Sequence, residues 1–78
     1  MNAYPKASIK LYNADGVYRV QSCMVWLNNG VGQLLGSGEN YESKESAVEE
    51  MKQRTMTLLR EKERAESEHS VNWVIESE

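Results

Sequence analysis

NGVGQLLGSGENYESKESAVEEMKQRTMTLL, residues 29–59, decides the fold. Asn29-Gly30 predicts a tight hairpin turn, because such a loop needs positive φ and Asn and Gly adopt it at least cost. Val31 to Leu35 then reads as a strand, and Gly36-Ser37-Gly38 as the release from it. Ser43 to Leu59 has the period of one long amphipathic helix. With Val48 as reference and ~100° per residue, Ala47, Met51, Thr55, Leu58 and Leu59 gather on one side, while Glu50, Gln53, Thr57, Arg60 and Glu61 fall opposite. Ser43 is the expected cap, with Glu45 in the first turn; Ser46 with Glu49 is a capping-box alternative. Met56 falls off the stripe, and a monomer core gives it no place.

Upstream, Ala7 to Tyr12 alternates as a half-buried strand does. Asp15-Gly16 is a second hairpin signal, and Val17 to Leu27 is a longer strand rich in β-branched and aromatic residues. Two-residue turns at Asp15-Gly16 and Asn29-Gly30 set the register. Leu11 then faces Val20, Ile9 faces Ser22, Met24 faces Leu35 and Val25 faces Leu34. Directly opposed residues share a face. One face therefore collects Ala7, Ile9, Leu11, Tyr18, Val20, Met24, Trp26 and Leu35, the expected core. The other collects Lys10, Tyr12, Arg19, Gln21, Cys23, Val25, Leu27 and Leu34.

Beyond Leu59 the apolar stripe stops. Arg60 to Glu66 reads as a charged helix extension, projecting into water or resting on a partner, and Ser67 to Ser70 breaks it. Val71 to Glu76 reads as a last short strand at a sheet edge, with Val71, Trp73 and Ile75 toward the core. The expectation is a single α+β domain over residues 1–78: a three-stranded antiparallel meander, one covering helix and a short C-terminal strand, with residues 1–5 a flexible N-terminus.

Seventy-eight residues with nine basic and twelve acidic side chains give a net charge of −3. A chain this short buries only ~60–65% of its unfolded surface, so it gains from a partner. One cysteine cannot form an internal disulfide, and with no basic-then-apolar leader it fits a reducing, cytoplasmic setting. No apolar run approaches the ~20 residues that cross a bilayer. The acidic balance argues against general polyanion binding while leaving room for a local basic patch.

Glu39-Asn40-Tyr41-Glu42-Ser43-Lys44-Glu45-Ser46-Ala47, following the Asn29-Gly30 turn, resembles the YegP-like family of small bacterial proteins, whose members carry Glu-x-Tyr-x-Ser-Lys-x-Ser-Ala at a helix start. The resemblance covers residues 9–55. It implies a β-β-β-α unit that is paired, by tandem repeat or by dimerisation, and it carries over no catalytic residue. Gly36-Ser37-Gly38 with Ser43-Lys44-x-x-Ala47 is also similar to the C-terminal half of a double-stranded-RNA-binding domain, where basic side chains meet phosphate. Only Lys44 stands for that domain's lysine cluster, and Glu45, Glu49 and Glu50 lie where positive charge belongs.

Little catalytic chemistry is legible. His69 lies in a polar connector between Glu68 and Ser70, without the oriented partner a general base needs. Cys23, between Gln21-Ser22 and Met24-Val25, reads as a small hydrophobe. Gly30-x-Gly32 and Gly36-x-Gly38 lack the Lys-Ser/Thr continuation of a phosphate loop. The helix glutamates read as a solvated face. No cofactor or metal is expected, and no enzyme. The second sheet face suggests a macromolecular binding module instead, a homodimer or the binder of another protein, fitting an accessory or inhibitory factor of phage or mobile-element type and using Tyr12, Arg19, Cys23, Val25, Leu34 and Met56. A nucleic-acid binder using Lys10, Tyr12, Arg19 and Lys44 is the alternative, for RNA or single-stranded DNA.

Overall fold

The computed structural model describes residues 5–77. Strands β1 (Lys6–Ala14), β2 (Val17–Trp26) and β3 (Gly32–Gly36) form an antiparallel meander, and the two-residue β4 (Asn40–Tyr41) returns alongside β2. Helix α1 (Lys44–Lys62) follows, then a 3-10 turn at Glu68–Ser70 and strand β5 (Asn72–Ser77). The sheet order is β3-β2-β1-β5, with β5 parallel to β1. This is the expected α+β architecture. The expectation for residues 1–5 falls, Pro5 apart, outside the described residues.

Register is where structure and sequence part. Asp15 (φ 55) and Gly16 (φ 90) make the expected two-residue turn, and Leu11 faces Val20. Between Lys10 and Leu11 the pairing then slips: Lys10 faces Ser22 and Ile9 faces Cys23, leaving Gln21 as the extra residue of a β-bulge. A bulge adds one residue to one strand and so exchanges which of its faces points inward. The second hairpin is longer than a two-residue turn. Leu27 N–H donates to the Val31 carbonyl (3.0 Å) and Gly30 N–H to the Leu27 carbonyl (2.8 Å). Asn28-Asn29-Gly30 is thus a three-residue loop, with Gly30 alone of the three at positive φ (83°). Loops of this kind commonly join a type I turn to a left-handed residue. Met24 therefore faces Leu34, and Val25 faces Gln33.

These two shifts correct the face assignment. Cys23 and Val25 lie fully buried beneath α1 with Ala7, Ile9, Leu11 and Val20. Met24 and Trp26 point to the other side, sharing it with Ser8 and Lys6 opposite them. A second slip between Cys23 and Met24 leaves Leu35 unpaired in β3 and packed against both core clusters.

The helix keeps its predicted start. Ser43 Oγ accepts from Ser46 N–H at 3.1 Å, and Ala47, Met51, Thr55, Leu58 and Leu59 are buried. Met56 is buried too, contrary to expectation, in the cluster formed by Ala7, Val25, Leu58, Leu59 and Val71. The physical reason is the chain's return. Instead of projecting, the helix ends at Lys62, Arg64 adopts φ 56, and Glu63 and Ala65 N–H both donate to the Leu59 carbonyl. The reversal packs Ala65 and Val71 against the flank of the helix that carries Met56. Val71 faces inward and Trp73 packs against both core clusters, as expected.

Candidate functional site

Among the described residues, one face of the sheet has no helix over it. Following the register across β3-β2-β1-β5, this open face carries Gly32, Trp26, Lys6 and Asn72 in one row and Leu34, Met24, Ser8 and Val74 in the next. Ser22, Lys10 and Glu76 form another row, and beyond it Arg19 stands opposite Tyr12. Its centre is apolar. Leu34 is 55% exposed, while Ser8, though it faces outward, is only 8% exposed, so its larger neighbours roof it over. Val31, 56% exposed, extends the apolar surface at the hairpin.

The local chemistry explains the arrangement. A methyl group at Gly32 would sit 3.0 Å from Nε1 of Trp26 and 3.4 Å from Cε of Met24. Glycine there lets both side chains lean across β3. Lys6 Nζ lies 5.3 Å from the Trp26 ring centre, a cation–π distance. Lys6, Lys10 and Arg19 all belong to this face, and none pairs ionically with a described residue. Among the described residues Glu76 is the one carboxylate whose register places it here. The acidic side chains are concentrated instead in and around α1 and the connector. An acidic protein thus presents a locally cationic, aromatic-bearing sheet.

Of the sequence-derived interface residues, Tyr12, Arg19 and Leu34 are on the open face. Cys23, Val25 and Met56 are in the core and reach no partner in this fold. Of the nucleic-acid set, Lys10, Tyr12 and Arg19 come together. Lys44 does not: it begins α1 and lines a groove with Glu45, Val48, Glu49, Lys52 and Ile75 on the helix side. Lys6, Met24, Trp26 and Val74 were missed. The three-residue loop Asn28-Asn29-Gly30 signalled only half of this, setting Met24 and Trp26 beside Leu34 and Gly32, while the extra residue Gln21 is what turns them outward.

The helix side holds braces and little that resembles a reaction centre. Arg54 Nη1 donates to the Leu35 carbonyl (3.3 Å) and to Glu39 Oε1 (3.2 Å), tying the exit of β3 to α1. That bond to Glu39 raises the Arg54 pKa, and burial raises that of the Tyr41 phenol. His69 is exposed and lines a cleft of about 580 Å³ with Met56, Thr57, Arg60 and Glu66 among others. Nearby, Trp73 Nε1 donates to the Glu68 carbonyl at 2.9 Å, and Lys52 Nζ stands 5.3 Å from the Trp73 ring centre. Among the described residues no three His, Cys, Asp or Glu side chains gather as metal ligands, and no helix is long and apolar enough to cross a membrane. Comparison with family models, with curated proteins and with solved structures returned no match.

Proposed function

We propose that this chain is a non-enzymatic binding module that docks a macromolecule on the open face of its sheet. One observation carries the reading: Leu34, Met24 and Val74 form an uncovered apolar row bordered by Trp26, Tyr12, Lys6, Lys10 and Arg19. Trp, Tyr, Met and Arg are the side chains that concentrate binding energy at interfaces. The cationic border selects a partner of opposite charge. It also disfavours face-to-face pairing of two copies, which would bring like charges together at the moment they lose water.

A photo-crosslinking residue in place of Leu34 tests the docking surface, with one in place of Gln53 on the exposed side of α1 as control. Adducts formed in the native cell at position 34 and absent at position 53 are expected. Adducts at position 53 alone would refute the reading.

Self-association is a second reading, at a different surface. Asn72 N–H donates to the Pro5 carbonyl at 3.0 Å, so the amides of Asn72, Val74 and Glu76 turn toward β1. Backbone groups alternate along a strand, which turns those of Trp73, Ile75 and Ser77 outward along a free edge. Ile75, 39% exposed, stands at the middle of that edge. Antiparallel pairing of two β5 strands about Ile75 would satisfy all three and cover it.

A further inference from the structure

We propose that the occupant of the open face is a single-stranded nucleic acid, with bases stacked at Trp26 and Tyr12 and phosphates met by Lys6, Lys10 and Arg19. The inference rests on the docking reading and names its partner. Three features point to a strand that is anionic along its length and carries rings. First, the two aromatic residues stand at opposite ends of the face: Tyr12 lies six residues along β1 from Lys6, the neighbour of Trp26, or about 20 Å at the rise of an extended strand. Bases presented in series on a flexible backbone can reach both rings. A duplex keeps its bases stacked inside.

Second, each ring has a cation beside it. Lys6 lies over Trp26, and Arg19 is directly opposite Tyr12. Lys10 lies between the two pairs along β1. Aromatic platforms that hold single strands combine stacking with a cationic track for the backbone in this way. Third, the face is nearly free of carboxylates while the helix layer is rich in them, so the molecule's field would orient a polyanion toward the sheet. Leu34, Met24 and Val74 then supply the apolar bed on which sugar and base edges rest.

The test uses the full chain with Trp73→Phe, leaving Trp26 as the single indole of a chain that has two. The probe is a 12-nucleotide oligothymidine, titrated while indole fluorescence is followed across a salt series. Expected are quenching of Trp26 and a log–log salt slope of about −2, as three phosphate contacts on a single strand predict. Tyr12→Ala should weaken binding by roughly tenfold, the loss of one stacked base. Lys10→Ala should make the slope shallower by about 0.7. Equal affinity for heparin without quenching would overturn the proposal, since heparin has charge and no bases. Equal affinity for a duplex would overturn it also, as would absence of binding at 50 mM salt. In that last case protein adducts at position 34 would preserve the docking reading while removing the nucleic acid. Absence of adducts at position 34 would remove both.

Discussion

The Cys23 sulfur lies 3.7 Å from the Thr55 hydroxyl, where β2 meets the underside of α1. The hydroxyl donates its own hydrogen to the Met51 carbonyl at 2.9 Å, so its lone pair is free to accept from the thiol. Burial raises the Cys23 pKa above its ordinary value of 9.0, with nearby Arg54 acting in the opposite sense. An acid held more tightly in the folded chain stabilises that chain fully below its ordinary pKa, and the contribution is lost as pH rises through the higher folded value. Stability should therefore decline above about pH 9, and less steeply in Cys23→Ala, as read from urea midpoints across that range. In neutral buffer an aromatic disulfide reagent should leave Cys23 unmodified until denaturant unfolds the chain. Rapid labelling of the native protein would contradict the core position.

Val25 and Leu34 allow the two faces to be tested directly. Val25 is fully buried against α1 and Leu34 lies outside, so glutamate at each has opposite consequences. Val25→Glu places a carboxylate in the core without a partner, and unfolding or the loss of several kcal/mol is expected. Leu34→Glu should change stability by no more than about 0.5 kcal/mol, the usual scale of surface substitutions. Thermal melts by circular dichroism separate these outcomes. Matching melts would mean that the inward and outward sets are wrongly drawn.

How much of this arrangement is legible in the sequence depends on the scale of the question. The helix is readable because its period is long and its start is marked: five stripe residues and Ser43 agree. Strand existence is readable for a similar reason. Register is fragile, because the side-chain period is two and a single added residue inverts a face. Gln21 has no signature of a bulge, being an ordinary polar residue in a β-rich run. Asn28-Asn29-Gly30 contains the favoured two-residue signal inside a longer loop, and either reading satisfies local preference. The burial of Met56 depends on where the chain returns after Arg64, which is a tertiary outcome. Tyr12, Arg19 and Leu34 kept their place on the second face, since the first two pair on the turn side of the bulge and, for Leu34, the inversion at Gln21 and the one-residue shift of the longer loop cancel.

Gln21 itself should tolerate deletion, because it is the surplus residue of the bulge. Its removal restores continuous pairing between β1 and β2 while keeping Val20 opposite Leu11, Ser22 opposite Lys10 and Cys23 opposite Ile9, so Val20, Cys23 and Val25 all stay beneath the helix. The buried set is unchanged, so cooperative unfolding is expected to survive the deletion in denaturant titration. Gln21→Ala keeps the residue count and should stay within about 0.5 kcal/mol of the parent. If the deletion variant loses cooperative unfolding, Gln21 is not the surplus residue that sorts the two faces.

The free edge of β5 yields a test of self-association that spares the rest of the fold. Ile75 turns its amide away from β1, so a proline there removes no bond of the β1–β5 ladder. Edge positions of this kind tolerate proline, whereas Val74→Pro deletes a bond to β1 and loosens the strand. If two copies join through β5, the parent at micromolar concentration scatters light as about twice the chain's 8.9 kDa, and Ile75→Pro returns it to the monomer mass with its helix signal unchanged. Leu34→Glu should leave the dimer in place, because the open face takes no part in it. A parent that is monomeric throughout, or a dimer that survives Ile75→Pro but dissociates in Leu34→Glu, would shift self-association away from the edge.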